Sequence, residues 1–276
     1  MYRGFLKLSD KSKEIRIDSD ASKVLFRATF TAPTMANLGT TGIMQAEALL
    51  SYFNTMLGTS RIVVERWTGG DKLQIVPDAK LVDIAEICGN KKGNVTIKSA
   101  NPASATHTTY TAEFSLDLAA QGTIPVRNGD YIRIAITETA MYNDGLGGGA
   151  GSADATIKLF TYTNYQRRNN HMKYDIIAVQ KDAPRQFELK PNHAIIMIPA
   201  NVTKLNLKGP DADLDLTAEE LTGIASAESD TVFLVNGLSL IQNNWRAFSL
   251  KGFTRGDITL PADGNFYFIG YEDFER

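Results

Sequence analysis

Cysteine, histidine, tryptophan and net charge are all scarce in this chain of 276 residues. Cys88 is the one cysteine, so internal disulfides are excluded and folding in a reducing compartment is expected. The three histidines, His107, His171 and His193, form no HxH, HxxE or HExxH pattern. A sandwich-type metal enzyme needs His and carboxylate ligands clustered on neighbouring strands, and that cluster is missing. A formal net charge of −2 provides no field to draw in nucleic acid, and no block of like charge marks a tail. No run approaches the ~18 apolar residues of a membrane span, and the opening MYRGFLKLSD lacks an apolar signal core. A soluble protein made in the cytoplasm is the expectation.

What the chain does have is apolar residues in short alternating runs. At 43% hydrophobic it can bury a large core, on the order of three quarters of its unfolded surface. Ile15 and Ile17 alternate with Glu14, Arg16 and Asp18, which is the period of a half-buried strand. Strands are predicted over 23–32, 61–67, 72–76, 81–87, 94–99, 108–119, 122–126, 130–139 and 156–163. In the second half they fall over 174–179, 186–189, 194–199, 204–208, 231–235, 246–250, 257–260 and 265–271. Gly, Asn, Asp and Pro separate them, the pattern of a sandwich or barrel. Asn128-Gly129 and Asp263-Gly264 read as hairpin turns. One stretch is helical in period: Ile43, Ala46, Leu50, Phe53 and Leu57 recur over 42–57, with Thr40 or Thr41 to cap it and Gly58 at the left-handed position after it. Thr217-Ala218-Glu219-Glu220 is a capping box that opens a short second helix.

The chain also repeats itself. FSLDLAAQGTIPVRNGDYIRIAITE, residues 114–138, aligns without a gap on FSLKGFTRGDITLPADGNFYFIGYE, residues 248–272. Phe114, Ser115, Leu116, Gly122, Ile124 and Glu138 meet identical residues there. YRGFLKLSDKSKEIRIDSDASKVLF, residues 2–26, aligns on YDIIAVQKDAPRQFELKPNHAIIMI, residues 174–198. Both echoes keep chain order, so the chain reads as two copies of one unit. The first spans 1–166 with a helical insertion at about 41–57, a junction covers 167–170, and the second spans 171–276. Eight or so strands per copy suit an eight-stranded jelly roll, and the expected class is all-β, two tandem jelly-roll sandwiches with short helical insertions.

Catalytic signals are thin, and an enzyme is not expected. No GxSxG elbow precedes a helix, and Cys88 reads as a small buried residue. GLGGGAG, residues 145–151, is followed by a strand, whereas a phosphate cradle needs a helix there. Asp211, Asp213 and Asp215 open like a calcium loop but lack its glycine and its closing glutamate, so a strand face with Asp out and Leu in is the commoner meaning. No cofactor is expected, with calcium at these carboxylates the one candidate. Trp67, Tyr162, Tyr165, Arg167 and Trp245 are candidate contact residues, because aromatics and Arg concentrate in interface centres. Core placement is the competing reading for each aromatic.

Two unequal tandem sandwiches without a catalytic cluster resemble the double jelly-roll major capsid proteins of tailless icosahedral viruses, in particular those of bacteriophages with an internal membrane. That resemblance implies a structural protein located in the virion. Three chains would form a pseudo-hexagonal capsomer, with neighbouring capsomers, penton or minor capsid proteins and the lipid of an internal membrane as partners, and no specific nucleic acid. The alternative is a binding module, a phage tail or spike component or a glycan-binding sandwich, which needs Trp67 or Trp245 exposed in a concave pocket.

Overall fold

A computed structural model describes residues 1–7, 12–58, 60–92, 95–102, 107–120, 122–137, 156–164, 170–225, 231–242 and 244–273. The first half holds β1 (Tyr2–Lys7), β2 (Ser12–Ile17), β3 (Lys23–Pro33), α1 (Met35–Leu38), α2 (Gly42–Gly58), β4 (Arg61–Thr68) and β5 (Asp71–Lys80). It continues with α3 (Leu81–Lys92), β6 (Val95–Pro102), β7 (His107–Asp117), β8 (Tyr131–Thr137) and β9 (Thr156–Tyr162). The second half holds β10 (Asn170–Val179), β11 (Arg185–Glu188), β12 (His193–Pro199), β13 (Lys204–Lys208), β14 (Asp213–Thr217) and α4 (Ala218–Ala225). It ends with β15 (Thr231–Val235), β16 (Leu238–Gln242), β17 (Trp245–Ser249), β18 (Arg255–Thr259) and β19 (Gly264–Asp273).

Strand order is the same in both halves. The first half pairs β1-β9-β3-β7 in one sheet and β2-β8-β4-β5 in the other, and the second pairs β10-β19-β12-β17 and β11-β18-β13-β14. With β6, β15 and β16 left out and each half numbered from its first strand, these are one and the same eight-stranded arrangement, in which consecutive strands alternate between two sheets except for one hairpin in each half, β4-β5 and β13-β14. That is a jelly roll, present twice. The period-2 alternation supplies the inner faces: Val24, Phe26, Ala28 and Phe30 of β3 are buried, opposite Leu116, Phe114, Ala112 and Tyr110 of β7. Phe26 stacks on its cross-strand partner Phe114 with ring centroids 5.0 Å apart, and Phe30 on Tyr110 at 5.8 Å. Such aromatic pairs stabilise a sheet beyond the area they bury. The second core is built by Phe187, Ile196, Ile198, Phe248, Phe266 and Phe268.

Three further strands cross between the halves. β6 extends the first sheet beyond β7, and β15 pairs with β6 in parallel, Phe233 opposite Val95. β16 then ends a seven-stranded sheet. Asn236 and Gly237, both at positive φ, turn β15 into β16, and the Asn236 side chain accepts from the Ser99 amide at 2.8 Å. So a segment of the second half completes a sheet of the first.

Several expectations are corrected. Residues 81–87 form a helix and not a strand: Leu81, Ile84 and Ala85 are buried at helical spacing. Residues 122–126 form no strand but carry bridge residues, with Ile124 bridged to Ala21. Asn128-Gly129 is a turn but not a hairpin, because β8 pairs with β2 and β4, and Asp263-Gly264 is neither, because Asp263 lies in a bend, Gly264 begins β19, and β18 and β19 lie in different sheets. β5 runs through Pro77, tolerated because β5 is an edge strand. The helix expected over 42–57 is α2, with the Thr41 side chain accepting from the Met44 amide at 3.3 Å, but Gly58 does not take the left-handed conformation and Ile43 is 60% exposed. The capping box forms at α4, the Glu220 carboxylate accepting from the Thr217 amide at 2.9 Å. Residues 143–152 lie outside the described residues. Among the described residues no helix is long and apolar enough to cross a membrane.

Candidate functional site

The arrangement with most built into it is the seam between the two sandwiches. The sheet β10-β19-β12-β17 is apolar on both faces. Phe266 and Phe268 point into the second core, while their alternates Tyr267 and Ile269 join Met172, Tyr174, Met197 and Trp245 in the core of the first half. This outer face packs on α3 and β5. Polar groups register the contact. Tyr267 Oη donates to Asp83 Oδ2 at 2.6 Å, Trp245 Nε1 to Glu86 Oε2 at 3.0 Å and Asn244 Nδ2 to Glu86 Oε1 at 2.9 Å. Both acceptors stand on α3 and all three donors come from the second half. Burial pushes the Asp83 and Glu86 carboxyls above the usual carboxylate range, against the hydrogen bonds that lower them, and pushes the Tyr267 phenol up as well. Two sandwiches joined in this way form one block and not beads on a string.

Of the predicted contact residues, Trp245 is corrected: at 6% exposure it belongs to the seam inside the chain and offers nothing to a partner. Trp67 lies on the outer face of β2-β8-β4-β5, half-buried, stacked on Tyr131 at 5.9 Å, with the Arg16 guanidinium 4.7 Å from the Tyr131 ring centre on the same face. Around it Arg133 pairs with Glu14 at 2.6 Å and Glu65 at 3.0 Å, and Lys72 with Glu65 at 3.0 Å. Burial alone would raise the Glu65 pKa, but hydrogen bonds from Lys72, Arg133 and Trp67 together bring it below its ordinary value. Tyr162 is 51% exposed at the end of β9. Tyr165 and Arg167 lie outside the described residues. The structure does not bring the three described residues, Trp67, Tyr162 and Trp245, together.

Asp213 and Asp215 stand on the solvent side of β14 with Leu216 buried, as the Asp-out, Leu-in reading requires. Lys204 faces Asp215 at 3.5 Å, and Lys208 is the cross-strand partner of Asp213. Among the described residues no group of three or more His, Cys, Asp or Glu is placed to hold a metal, so Asp211, Asp213 and Asp215 are not assembled into a calcium site.

His193, Asp175 and Lys190 form a small charged cluster beside β10. The Asp175 carboxylate meets His193 Nε2 at 3.0 Å and accepts from Lys190 at 3.2 Å. The His193 hydrogen bond, aided by Lys190, holds Asp175 down at about 2. A carboxylate depressed in the fold stabilises above its ordinary pKa, and that contribution is lost as pH falls through the folded value. Asp175→Asn is therefore expected to cost about 2 kcal/mol at neutral pH. In urea unfolding the gap between variant and wild type should close as pH falls from about 4 toward 2.

Exposed large apolar groups are concentrated at the two ends of the seven-stranded sheet. At one end Leu238 and Ile241 of β16 lie beside Ile43 and Met44 of α2, with 40%, 61%, 60% and 51% exposure. A Cβ on Gly42 would stand 3.3 Å from Leu238 Cδ1, so helix and strand make one surface. At the other end are Tyr2 on β1 and Tyr162 on β9. Sequence reading missed Asp83 and Glu86 because it took their segment for a strand. It missed Leu238 and Ile241 because β16 was not predicted, although Asn236-Gly237 is the turn signal that marks it.

No family model matches this sequence, and no curated protein matches it either. Solved structures do. The chain is similar to the major capsid protein P2 from bacteriophage PM2, at 10% identity and a TM-score of 0.50, over 99% of this chain and 98% of that one. Two further similarities are weaker: a structure of the Sputnik virophage, at 9% identity, 98% and 85% coverage and a TM-score of 0.33, and the mavirus major capsid protein, at 9% identity, 99% and 86% coverage and a TM-score of 0.35. The PM2 likeness extends over both sandwiches. This chain has an all-β fold of two tandem jelly rolls.

Proposed function

We propose that the chain is a viral major capsid protein that associates as a homotrimer, each trimer forming a pseudo-hexagonal tile of an icosahedral shell. The observation that carries this reading is the repeated strand order, supported by a likeness over nearly the whole chain to the major capsid protein P2 from bacteriophage PM2. A chain with two like sandwiches presents two similar flanks, so three chains offer six, and a threefold assembly can sit in a sixfold lattice. The division at residues 167–170, a role in assembly and not in catalysis, and a virion location after synthesis in the host cytoplasm belong to the same reading. So do the partners it implies: neighbouring capsomers, penton or minor capsid proteins and an internal membrane. The binding-module alternative has less support, since Trp245 is buried and Trp67 is half-buried on a sheet face, stacked on Tyr131.

A ring-forming contact joins two different surfaces of the same chain, and the exposed apolar ends of the seven-stranded sheet are such a pair. β16 is also an open edge, which a partner would cover. Ile241→Lys with Leu238→Lys is expected to weaken self-association about tenfold or more, measured by light scattering across a dilution series. The circular dichroism of the folded chain should stay unchanged. Unaltered association would remove this edge from the contact.

A further inference from the structure

We propose that Lys208 and Arg255, opposite each other on the outer face of β11-β18-β13-β14, form a site for a small phosphate-bearing anion. The inference concerns the second sandwich alone and holds whether or not the chain builds a shell.

The alternation of β13 and β18 puts Leu205, Leu207 and Ile258 in the core and leaves Lys208 and Arg255 exposed on the other face. The two are cross-strand partners in register, so two positive side chains start from directly opposite positions. Like charges so placed destabilise a sheet, and an anion held between them removes that cost. Elsewhere on the sheet faces such cations are paired: Arg27 with Glu113 at 2.6 Å, Arg61 with Asp78 at 2.7 Å, and Lys204 with Asp215 at 3.5 Å on this same face. Lys208 and Arg255 form no ion pair among the described residues, although Asp213 and Glu188 are their other cross-strand neighbours.

Main chain holds the two cations in place. The Thr254 amide donates to the Lys208 carbonyl at 2.8 Å, and the Thr254 hydroxyl donates to the same oxygen at 3.2 Å. A Cβ on Gly209 would run into the Gly252 carbonyl, so the chain leaving β13 touches the chain that enters β18. Lys208 and Arg255 also line two adjoining depressions of about 440 and 520 Å³. The first includes Gln186, Glu188 and Asp257, and the second Asp213, Thr254 and the Gly209-Pro210 corner. An arginine presents a planar fork that matches two phosphate oxygens, and a lysine adds a point charge. The carboxylates of Glu188, Asp213 and Asp257 stand around the pair and would repel an extended polyanion. A compact ligand with one anionic group, a phosphate monoester, is what this arrangement favours over a nucleic acid or an anionic lipid surface.

Inorganic phosphate is the probe, titrated calorimetrically into the purified chain in a chloride buffer of constant ionic strength. A saturable isotherm is expected, with a rise in the thermal unfolding midpoint. Lys208→Gln with Arg255→Gln should weaken binding about tenfold or more. The midpoint of that variant in chloride alone should be unchanged or higher, because the opposed charges are gone. Lys204→Gln, on the same face, should bind phosphate as the wild type does. A response that does not saturate, or phosphate binding that survives in the double variant, overturns the proposal. Oligothymidylate that binds this chain more tightly than phosphate overturns the assignment to a small ligand.

Discussion

Trp245→Ala is expected to lower the unfolding free energy by about 4 kcal/mol, the range for truncating a large buried aromatic. The indole sits in the core of the first half although its strand belongs to the second. It meets Tyr267 edge-on at 5.2 Å and donates to Glu86. Truncation leaves a cavity between the sandwiches and deprives a buried carboxylate of a donor, which adds to the cost. Because the seam is shared, the loss should appear in a single unfolding transition in urea, followed by far-ultraviolet circular dichroism. A loss under about 1 kcal/mol would mean that the two sandwiches are not packed through this residue.

Gly270→Val is the second large effect. Gly270 lies on β19, where β12 opens into a bulge between His193 and Ile195. A Cβ at this position would run into the Asn192 carbonyl and stand 3.3 Å from the His193 Cα. Both obstacles are main chain and cannot swing aside, so the central pair of that sheet must separate. The expected cost is about 3 kcal/mol or more, read as a fall in the urea midpoint. Gly58→Ala is the matching control: no atom stands within 4 Å of its Cβ, and it closes α2 outside the left-handed region. It should be neutral or stabilising by up to about 1 kcal/mol. Equal losses in the two variants would contradict the close approach at Gly270.

Much of this architecture is legible in the sequence because apolar alternation sets which face of a strand is buried. The echo of residues 2–26 in 174–198 pairs β1 with β10, β2 with β11 and β3 with β12, the correct equivalents. The FSL match is also sound, since Phe114 and Leu116 fill the first core as Phe248 and Leu250 fill the second. Beyond it the ungapped alignment slips. It sets β8 against β19, whereas the strand equivalent to β8 is β18. The first half has long connections at 118–130 and 138–155 where the second has only 250–254 and 260–263. A period of two lets one alternating strand slide onto another at no visible cost, so only the pairing reveals the error.

The site was harder to read for a related reason. Residues 81–87 are apolar enough for a buried strand, and what makes them helical is that Leu81, Ile84 and Ala85 share a face while Asp83 and Glu86 meet donors more than a hundred residues away. Neither partner is visible from within the segment. Trp245 likewise looks like a surface anchor until the sheet that carries it proves to be apolar on both sides.

Self-association through like flanks is the claim on which the functional reading depends, and the mass of the purified chain in solution tests it most directly. Light scattering coupled to size exclusion should return a particle of three chains, stable on dilution and able to pack into hexagonal arrays when concentrated. A monomer that stays monomeric at high concentration would contradict it.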